Sequence, residues 1–274
     1  MTKPFKADVL VVKLSGKALT ADKALDALFT ALAGSAASAE RTRVVLVHGG
    51  GVEVDALMRG LGRPIDRIEG LRVSPAEDMP VIAGALAGTC SLKLRGAAQR
   101  AGLMPLGLCA TDAGIGRVVP ADPRLGRVGV IEPGDSAAKR RLQALLDAGF
   151  TPVISSVGMD AAGALWNINA DDAAVASAAL LGAPLIFLSD VPGVLDANKH
   201  LFEQLNEEQA ETLIAEGVIS GGMTVKVRAA FRAAAMTGKP VAAASVFDPM
   251  LPNKLASGQL PGTTFTLELS LIHI

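Results

Sequence analysis

The stretch Val44-Val45-Leu46-Val47-His48-Gly49-Gly50-Gly51 decides the fold class. Its four apolar residues show no polar alternation, which is typical of a strand that is covered on both faces of a parallel sheet. Helical spacing begins after the glycines, so Gly49 to Gly51 lie at a strand-to-helix turn. Because glycine lacks a Cβ, backbone N–H groups there approach an anion closely, and a helix N-terminus adds about half a positive charge. The stretch predicts an anion-binding turn; a tight turn that binds nothing is the alternative.

Apolar runs that indicate strands alternate along the chain with longer segments of helical spacing. The strands are predicted at 9–14, 44–47, 104–108, 152–157, 184–188 and 240–245, and the helices at 21–34, 52–61, 75–101, 137–149, 171–181, 207–216 and 223–237. This alternation predicts an α/β fold, a three-layer αβα sandwich around a mainly parallel open sheet. The segment 111–135 is rich in Gly, Pro and Arg and predicts a hairpin excursion such as a lid. We expect two lobes, 1–175 and 176–274.

The composition excludes several classes of function. The chain has 26 Lys and Arg against 27 Asp and Glu, which leaves no electrostatic footprint for nucleic acid or an anionic membrane. No signal peptide precedes the first strand, and no apolar run reaches the length of a membrane span. Cys90 and Cys109 lack metal-site spacing and are interpreted as reduced core residues. We expect a cytoplasmic protein that acts on a small molecule. We interpret the apolar tail 267–274 either as a final strand or as a non-native remnant of cloning or sequencing.

Two lysines occupy positions that favour a bound anion. Lys13 lies within the apolar run of the first strand, where burial of an unpaired ammonium is costly. Lys226 follows Gly221-Gly222 in the predicted first turn of a helix, where a cation opposes the helix dipole. A phosphate near both would relieve both costs. The alternatives are a lysine that extends to water from a strand end and a solvated surface lysine.

Polar groups also cluster in two loops. Asn167-Ile168-Asn169-Ala170-Asp171 opens an Ala-rich helix, and an N-cap at Asn169 or Asp171 explains only one of its three polar groups. The others suit the orientation of a substrate. Ser189-Asp190 follows a strand at the carboxyl edge of the sheet, where open α/β folds bind ligands, or forms a plain turn. The sequence contains no GxxxxGK[ST], GxGxxG or protein-kinase signature and no metal-ligand pattern of His.

Together these motifs resemble the amino-acid kinase superfamily and, within it, the acetylglutamate kinases. The resemblance runs from Lys13 to about Gly262. Its motifs are Leu46-Val47-His48-Gly49-Gly50-Gly51 with Val54-Asp55-Ala56-Leu57-Met58, Gly70-Leu71-Arg72-Val73-Ser74, Gly84-Ala85-Leu86-Ala87-Gly88-Thr89, Asn167-Ile168-Asn169-Ala170-Asp171, and Gly222-Met223 with Lys226-Val227. The resemblance implies the amino-acid kinase type of sandwich. It also implies phosphorylation of the γ-carboxylate of N-acetyl-L-glutamate by ATP in arginine biosynthesis, with Mg²⁺ held mainly by the nucleotide.

The resemblance further implies a role for each matching residue. Lys13 and Lys226 would neutralise the transferring phosphoryl group, and Asp171 would hold both lysines. Arg72 would grip the α-carboxylate of the acceptor as a bidentate fork. The remaining acceptor-binding residues would be Gly49, Gly50, Asn167 and Asn169. The nucleotide would be bound by Gly16, Ser189, Asp190 and Met223, and no metal ligand from the protein is expected.

Two features depart from the usual acetylglutamate kinase pattern. Ser15 stands where the family commonly has a glycine, and Lys13-Leu14-Ser15-Gly16-Lys17 is similar to the uridylate kinases of the superfamily. Residues 1–8 are too few for the extra N-terminal helix of arginine-inhibited hexamers, so we expect an arginine-insensitive homodimer.

Several alternatives stay open at this point. The first is another carboxylate kinase, acting on glutamate, aspartate or N-acetyl-aminoadipate. The second is a uridylate kinase, and the third is a binding module without catalysis, although the trio Lys13, Asp171 and Lys226 argues against that one. Under the leading interpretation, lobe 1–175 would bind the amino acid and form the dimer interface, and lobe 176–274 would bind the nucleotide.

Overall fold

An eight-stranded sheet forms the middle layer of the computed structural model, which describes residues 7–36 and 42–267. The strands of this sheet and of two smaller ones are Val9–Leu14 (β1), Arg43–His48 (β2), Arg67–Ile68 (β3), Leu71–Arg72 (β4), Pro105–Cys109 (β5), Gly116–Pro120 (β6), Val128–Pro133 (β7), Thr151–Ser155 (β8), Val157–Met159 (β9), Leu165–Ile168 (β10), Leu185–Ser189 (β11), Gln204–Asn206 (β12), Val241–Ser245 (β13) and Thr263–Thr266 (β14).

The helices pack against the two faces of this sheet. The α-helices of the described residues are Asp22–Ala36 (α1), Gly51–Gly60 (α2), Met79–Ala83 (α3), Ser91–Arg100 (α4), Ser136–Asp147 (α5), Ala170–Leu181 (α6), Glu207–Ala215 (α7), Gly222–Thr237 (α8) and Leu251–Ala256 (α9). One buried cluster lies between the sheet and α5, α6 and α8, and a second lies between the sheet and α1 and α4. The predicted αβα sandwich is confirmed.

The strand order of the large sheet is β12-β14-β13-β11-β1-β2-β8-β5. Every neighbouring pair is parallel except β13 and β14. The six predicted strands all lie in this sheet, and β1 has the predicted bounds. Because β1 has β2 on one side and β11 on the other, the loops that follow these three strands share the carboxyl edge of the sheet.

The segment predicted as one helix at 75–101 is helical from Ala76 to Arg100, but it is not an α-helix throughout. It consists of a 3₁₀ turn Ala76–Asp78, then α3, a π-helix Gly84–Cys90, and α4. The π-helix places Leu86 and Cys90 directly against Gly50. Apolar periodicity alone did not distinguish this wider turn from an α-helix, because the turn fits a tertiary contact.

The hairpin predicted within 111–135 is present. β6 and β7 pair antiparallel from Gly116 with Pro133 to Pro120 with Gly129, and β10 and β9 extend them to a four-stranded sheet. The predicted lobe boundary at 175–176 falls inside α6, and β1 pairs directly with β11 across it. The division into two lobes therefore remains a prediction about function.

Two predictions concern residues outside the described ranges. Residues 1–6 include most of the segment judged too short for an N-terminal helix, and residues 268–274 include most of the apolar tail. Within the described residues, each helix is too short or too polar to cross a bilayer. Cys90 and Cys109 are both free thiols, as predicted.

Candidate active site

Two glycine-containing loops meet at the carboxyl edge of the sheet. Gly16 follows β1 and Gly50 follows β2, which are adjacent parallel strands. A Cβ at Gly16 would lie 3.4 Å from the backbone nitrogen of Gly51. A Cβ at Gly50 would lie 3.0 Å from Cδ2 of Leu86 and would collide with Sγ of Cys90. The close approach of these backbones leaves N–H groups of both loops at one place.

The buried lysine predicted in β1 has a carboxylate partner. Lys13 Nζ lies 2.5 Å from Asp171 Oδ1, and the two side chains are only 10% and 13% exposed. The oxygen makes this ionic contact without accepting a well-aligned hydrogen bond from any described residue. Asn169 presents Asp171 to the lysine, because its side-chain oxygen accepts a hydrogen bond from the Asp171 nitrogen and caps α6. The N-cap considered from the sequence is therefore Asn169.

Lys226 reaches the same edge from α8. This helix begins at Gly222, so Lys226 stands just beyond its first turn, and the prediction of a first-turn position is wrong by one residue. Its Nζ donates to Ser189 Oγ at 3.0 Å, at the end of β11. Burial lowers the pKa of Lys226, and the positive charge of Lys13 lowers it further. An anion placed between the two ammonium groups would relieve this repulsion.

Asp190 has a partner that the sequence analysis did not assign. Lys17 Nζ lies 2.8 Å from Asp190 Oδ2, so the loop after β1 is linked to the loop after β11. This hydrogen bond lowers the pKa of Asp190 against the opposing effect of partial burial. The Lys17 side chain is mostly exposed, so this ion pair lies at the surface of the site. The signal in the sequence was present, since Lys17 lies one residue after Gly16.

The predicted acceptor-binding residues line one cavity of about 190 Å³ beside the glycine turn. The structure brings together here all five of them, namely Gly49, Gly50, Arg72, Asn167 and Asn169. Apolar side chains of Val54, Leu71, Ile82, Leu86 and Val128 complete the wall. A concave site that combines an apolar wall with a few converging polar groups is typical of the binding of a small molecule. The predicted nucleotide-binding residues Gly16, Ser189, Asp190 and Met223 do not line it.

Arg72 is held rigidly at this cavity. It is 8% exposed, forms an ion pair with Asp55 on α2, and donates to the Gly51 carbonyl at 3.3 Å. Its Nη1 is buried and has no hydrogen-bond partner among the described residues. Asn167 is held by a 3.0 Å hydrogen bond from its Nδ2 to Ser74 Oγ. Nη1 of Arg72 is therefore a donor that residues 7–36 and 42–267 leave unsatisfied.

Asp55 belongs to one of the motifs that carry the family resemblance, but no role was predicted for it. It stands four residues after Gly51, on the face of α2 that points toward the β3–β4 hairpin, and that spacing was its only signal. Burial opposes ionisation of Asp55, yet the hydrogen bonds and charges of Arg72 and Arg67 outweigh burial and lower its pKa. The Asp55 carboxylate is therefore ionised at neutral pH.

His48 lies directly beneath the glycine turn and is fully buried. Its Nδ1 is 2.9 Å from the Gly49 carbonyl oxygen, so Nδ1 carries the proton and donates. Burial lowers the pKa of His48 to about 4; the hydrogen bond to Gly49 opposes the shift, and the positive charge of Arg95 adds to it. His48 is thus a neutral structural residue at physiological pH. Across residues 7–36 and 42–267, no three His, Cys, Asp or Glu side chains form a metal-binding group.

Comparison with known proteins identifies the family to which this αβα sandwich, with its two lysines and Asp171 at the sheet edge, belongs. The model of the amino acid kinase family matches residues 8–244. The chain belongs to the amino acid kinase family.

Individual relatives are more specific. The chain is similar to a protein of Vibrio vulnificus (strain YJ016) named acetylglutamate kinase, with 47% identity over 97% of this chain and 99% of that protein. Among solved structures it is similar to smu.665 from Streptococcus mutans UA159, with a TM-score of 0.80 and 28% identity over 94% of this chain and 98% of that one. Giardia carbamate kinase shares the fold, with a TM-score of 0.67 and 16% identity over 96% of this chain and 100% of that one.

Proposed function

We propose that the protein transfers the γ-phosphoryl group of ATP to the γ-carboxylate of N-acetyl-L-glutamate, which yields N-acetyl-L-glutamyl 5-phosphate and ADP. The observation that carries the proposal is the buried Lys13–Asp171 pair, which lies with Lys226 and the glycine turn at one edge of the sheet. The choice of acceptor rests on the relatives, since a protein 47% identical over 97% of the chain is named acetylglutamate kinase. The reaction would serve arginine biosynthesis.

The chemistry needs positioning and charge stabilisation. A γ-carboxylate, with an ordinary pKa near 4.3, is already ionised at neutral pH, so no general base is required. The barrier comes from bringing this anion against the phosphates. Lys13 and Lys226 would neutralise the phosphoryl group in transfer, Asp171 would fix Lys13, and amides near Gly16 and Gly50 would donate to its oxygens. Mg²⁺, held mainly by the nucleotide, supplies further positive charge.

The acceptor would occupy the 190 Å³ cavity. The guanidinium of Arg72, whose Nη1 has no hydrogen-bond partner among the described residues, would bind its α-carboxylate. Asn167 would orient the acetylamino group from its anchored position against Ser74. Asn169 uses its side-chain oxygen to cap α6, so its amide NH₂ is the part left for the acceptor.

The nucleotide would lie at the adjacent loops that carry Gly16, Ser189, Asp190 and Met223. Ser15, the departure from the family pattern, uses its hydroxyl locally, since Ser15 Oγ accepts a 3.3 Å hydrogen bond from the Ala18 nitrogen. The hydroxyl is thereby engaged by the backbone at the start of the short turn Ala18–Thr20. This supports a phosphate-binding role for the Gly16 backbone despite the Cβ at Ser15.

A uridylate kinase is the second candidate, because Ser15-Gly16-Lys17 is similar to that branch. A coupled assay of ADP release separates the candidates when it is run with N-acetylglutamate, N-acetyl-aminoadipate, glutamate, aspartate and UMP. We expect kcat/KM for N-acetylglutamate to exceed all others by at least about tenfold. A displaced or missing carboxylate leaves a buried guanidinium unpaired, and glutamate, whose carboxylates are spaced as in N-acetylglutamate, would bring a charged ammonium in place of the acetylamino group. A higher value for UMP or for another acid would overturn the proposal.

We also propose a cytoplasmic homodimer in which residues 1–175 bind the acceptor and form the interface and residues 176–274 bind the nucleotide. β5 is the edge strand of the sheet on the side of the first lobe. Leu92 and Met104 near this edge are 60% and 58% exposed. An exposed strand edge flanked by apolar side chains favours association with a second copy. Light scattering that gives the mass of a monomer or hexamer would contradict the dimer.

A further inference from the structure

Two arginines share a single carboxylate beside the acceptor cavity. Arg67 and Arg72 face each other in the antiparallel β3–β4 pair, so their side chains lie on one face of the hairpin. Nη2 of Arg67 donates to Asp55 Oδ1 at 3.1 Å and to Oδ2 at 2.8 Å, and Arg72 pairs with Oδ1. Both arginines line the cavity. Directly opposed like charges destabilise a hairpin unless anions lie between them.

The charges of this cluster do not cancel. Arg72 and Asp55 alone would form a neutral pair, which offers little to an incoming anion. Arg67 makes the sum of the three +1, which one further carboxylate would balance. A third arginine, Arg59, approaches Asp55 only at 3.9 Å, is 69% exposed and does not line the cavity. The excess charge at the cavity therefore comes from Arg67.

The cluster also has a donor without an acceptor. Nη1 of Arg72 is buried and unpartnered within residues 7–36 and 42–267, whereas Nη2 is used by Asp55 and Gly51. A buried unsatisfied donor costs about 1–3 kcal/mol, and more when it is charged. A ligand carboxylate at the cavity would supply an acceptor for this guanidinium. Its negative charge would also balance the net +1 of Arg67, Arg72 and Asp55.

We propose that Arg67 is a specificity-determining residue, a second guanidinium that recognises the α-carboxylate of the acceptor together with Arg72. The inference rests on the proposed function and refines it. Arg67 is 40% exposed at its side chain, so it moves between Asp55 and a ligand more easily than Arg72. Asp55 keeps both guanidinium groups on the cavity side of the hairpin. The acceptor must accordingly carry a second carboxylate besides the one that receives the phosphoryl group.

Calorimetric titration with two ligands tests this assignment. N-acetylglutamate carries both carboxylates, and N-acetyl-4-aminobutyrate is the same molecule without the α-carboxylate. We expect Arg67→Ala and Arg67→Gln to raise the Kd of N-acetylglutamate about tenfold or more, as for loss of a hydrogen bond between charged groups. The Kd of N-acetyl-4-aminobutyrate should change less than about twofold. Arg67→Lys should lie between wild type and Arg67→Ala.

Arg59→Ala is the matched control, since it removes an arginine that approaches Asp55 from outside the cavity, and both Kd values should stay within about twofold of wild type. Equal weakening of the two ligands by Arg67→Ala would show a merely structural role and overturn the proposal, as would no weakening of either. A wild-type protein that binds neither ligand would instead overturn the proposed function on which the inference rests.

Discussion

The ammonium of Lys13 and the carboxylate of Asp171 lie 2.5 Å apart in a site from which water is largely excluded. Removal of one member of a buried pair leaves the other charge uncompensated, which typically costs about 3–5 kcal/mol. We expect Asp171→Leu to lower the free energy of unfolding by this order, as measured by urea denaturation. The double variant Lys13→Met/Asp171→Leu should recover most of the loss although it is inactive. A double variant no more stable than the single one would contradict the account.

The second lysine predicts a separation of binding from turnover. Lys226→Ala should reduce kcat by about 10²–10³, as expected for a group that stabilises charge only in the transition state. The Kd for N-acetylglutamate should remain close to wild type, because Lys226 does not line the acceptor cavity. Lys239→Ala, an exposed residue after the same helix, serves as the control. Full activity of Lys226→Ala in the ADP-release assay would rule out the assigned role.

The contact beneath the glycine turn predicts an effect of a single methyl group. Gly50→Ala should destabilise the fold by about 1–3 kcal/mol, because its Cβ would collide with the Cys90 thiol and crowd Leu86. The double variant Gly50→Ala/Cys90→Ala should recover part of this loss by removing Sγ. Gly51→Ala is the control for stability, since its Cβ would meet no atom within 4 Å and a helix position tolerates Ala. Thermal unfolding of the four proteins checks the prediction, and equal effects at Gly50 and Gly51 would refute it.

His48 predicts a pH dependence of stability. The pKa of His48 is about 4 in the folded state and near 6.5 in the unfolded state. Between pH 4 and pH 6.5, the unfolded chain therefore binds a proton at His48 that the native protein does not bind. Stability should therefore fall as pH drops from about 6.5 to 4, with a contribution of up to ~3 kcal/mol. His48→Asn keeps a donor for the Gly49 carbonyl and should lose less stability over this range than wild type.

His200 provides the control for that measurement, because it is 80% exposed and contacts Asp196 at the surface. His200→Asn should follow the wild-type curve of unfolding free energy against pH. Parallel curves for wild type and His48→Asn would mean that His48 does not titrate as described.

The sequence predicted best what depends on local pattern. β1 and the glycine turn after β2 were predicted from apolar runs and consecutive glycines, which are local features of the sequence. The π-helix at Gly84–Cys90 was not predicted from the sequence. Its hydrogen-bond register depends on a tertiary contact, the packing of Leu86 and Cys90 against Gly50. The short strands β3 and β4 were not predicted either, because a strand of two residues is too short to show an apolar periodicity.

For the site as well, residue positions could be predicted from local motifs, whereas side-chain pairings that depend on tertiary contacts could not. The positions of Lys13, Asp171 and Lys226 were predicted from motifs, and the structure gathers them at one edge. The pairings of Asp55 with Arg67 and of Lys17 with Asp190 were not predicted. The first joins α2 to the short strand β3, and the second joins two loops that are distant in sequence. Side-chain pairs of this kind depend on which loops the topology brings together.

The most direct test of the central claim is the identity of the product. An acyl phosphate reacts with hydroxylamine to give a hydroxamate, so wild-type protein is incubated with ATP, Mg²⁺, N-acetylglutamate and hydroxylamine, and ADP and hydroxamate are quantified together. We predict equal amounts of the two products and no ADP above background when N-acetylglutamate is omitted. Release of ADP without hydroxamate, or at the same rate without the acceptor, would contradict the claim that Lys13, Asp171 and Lys226 serve phosphoryl transfer to a carboxylate.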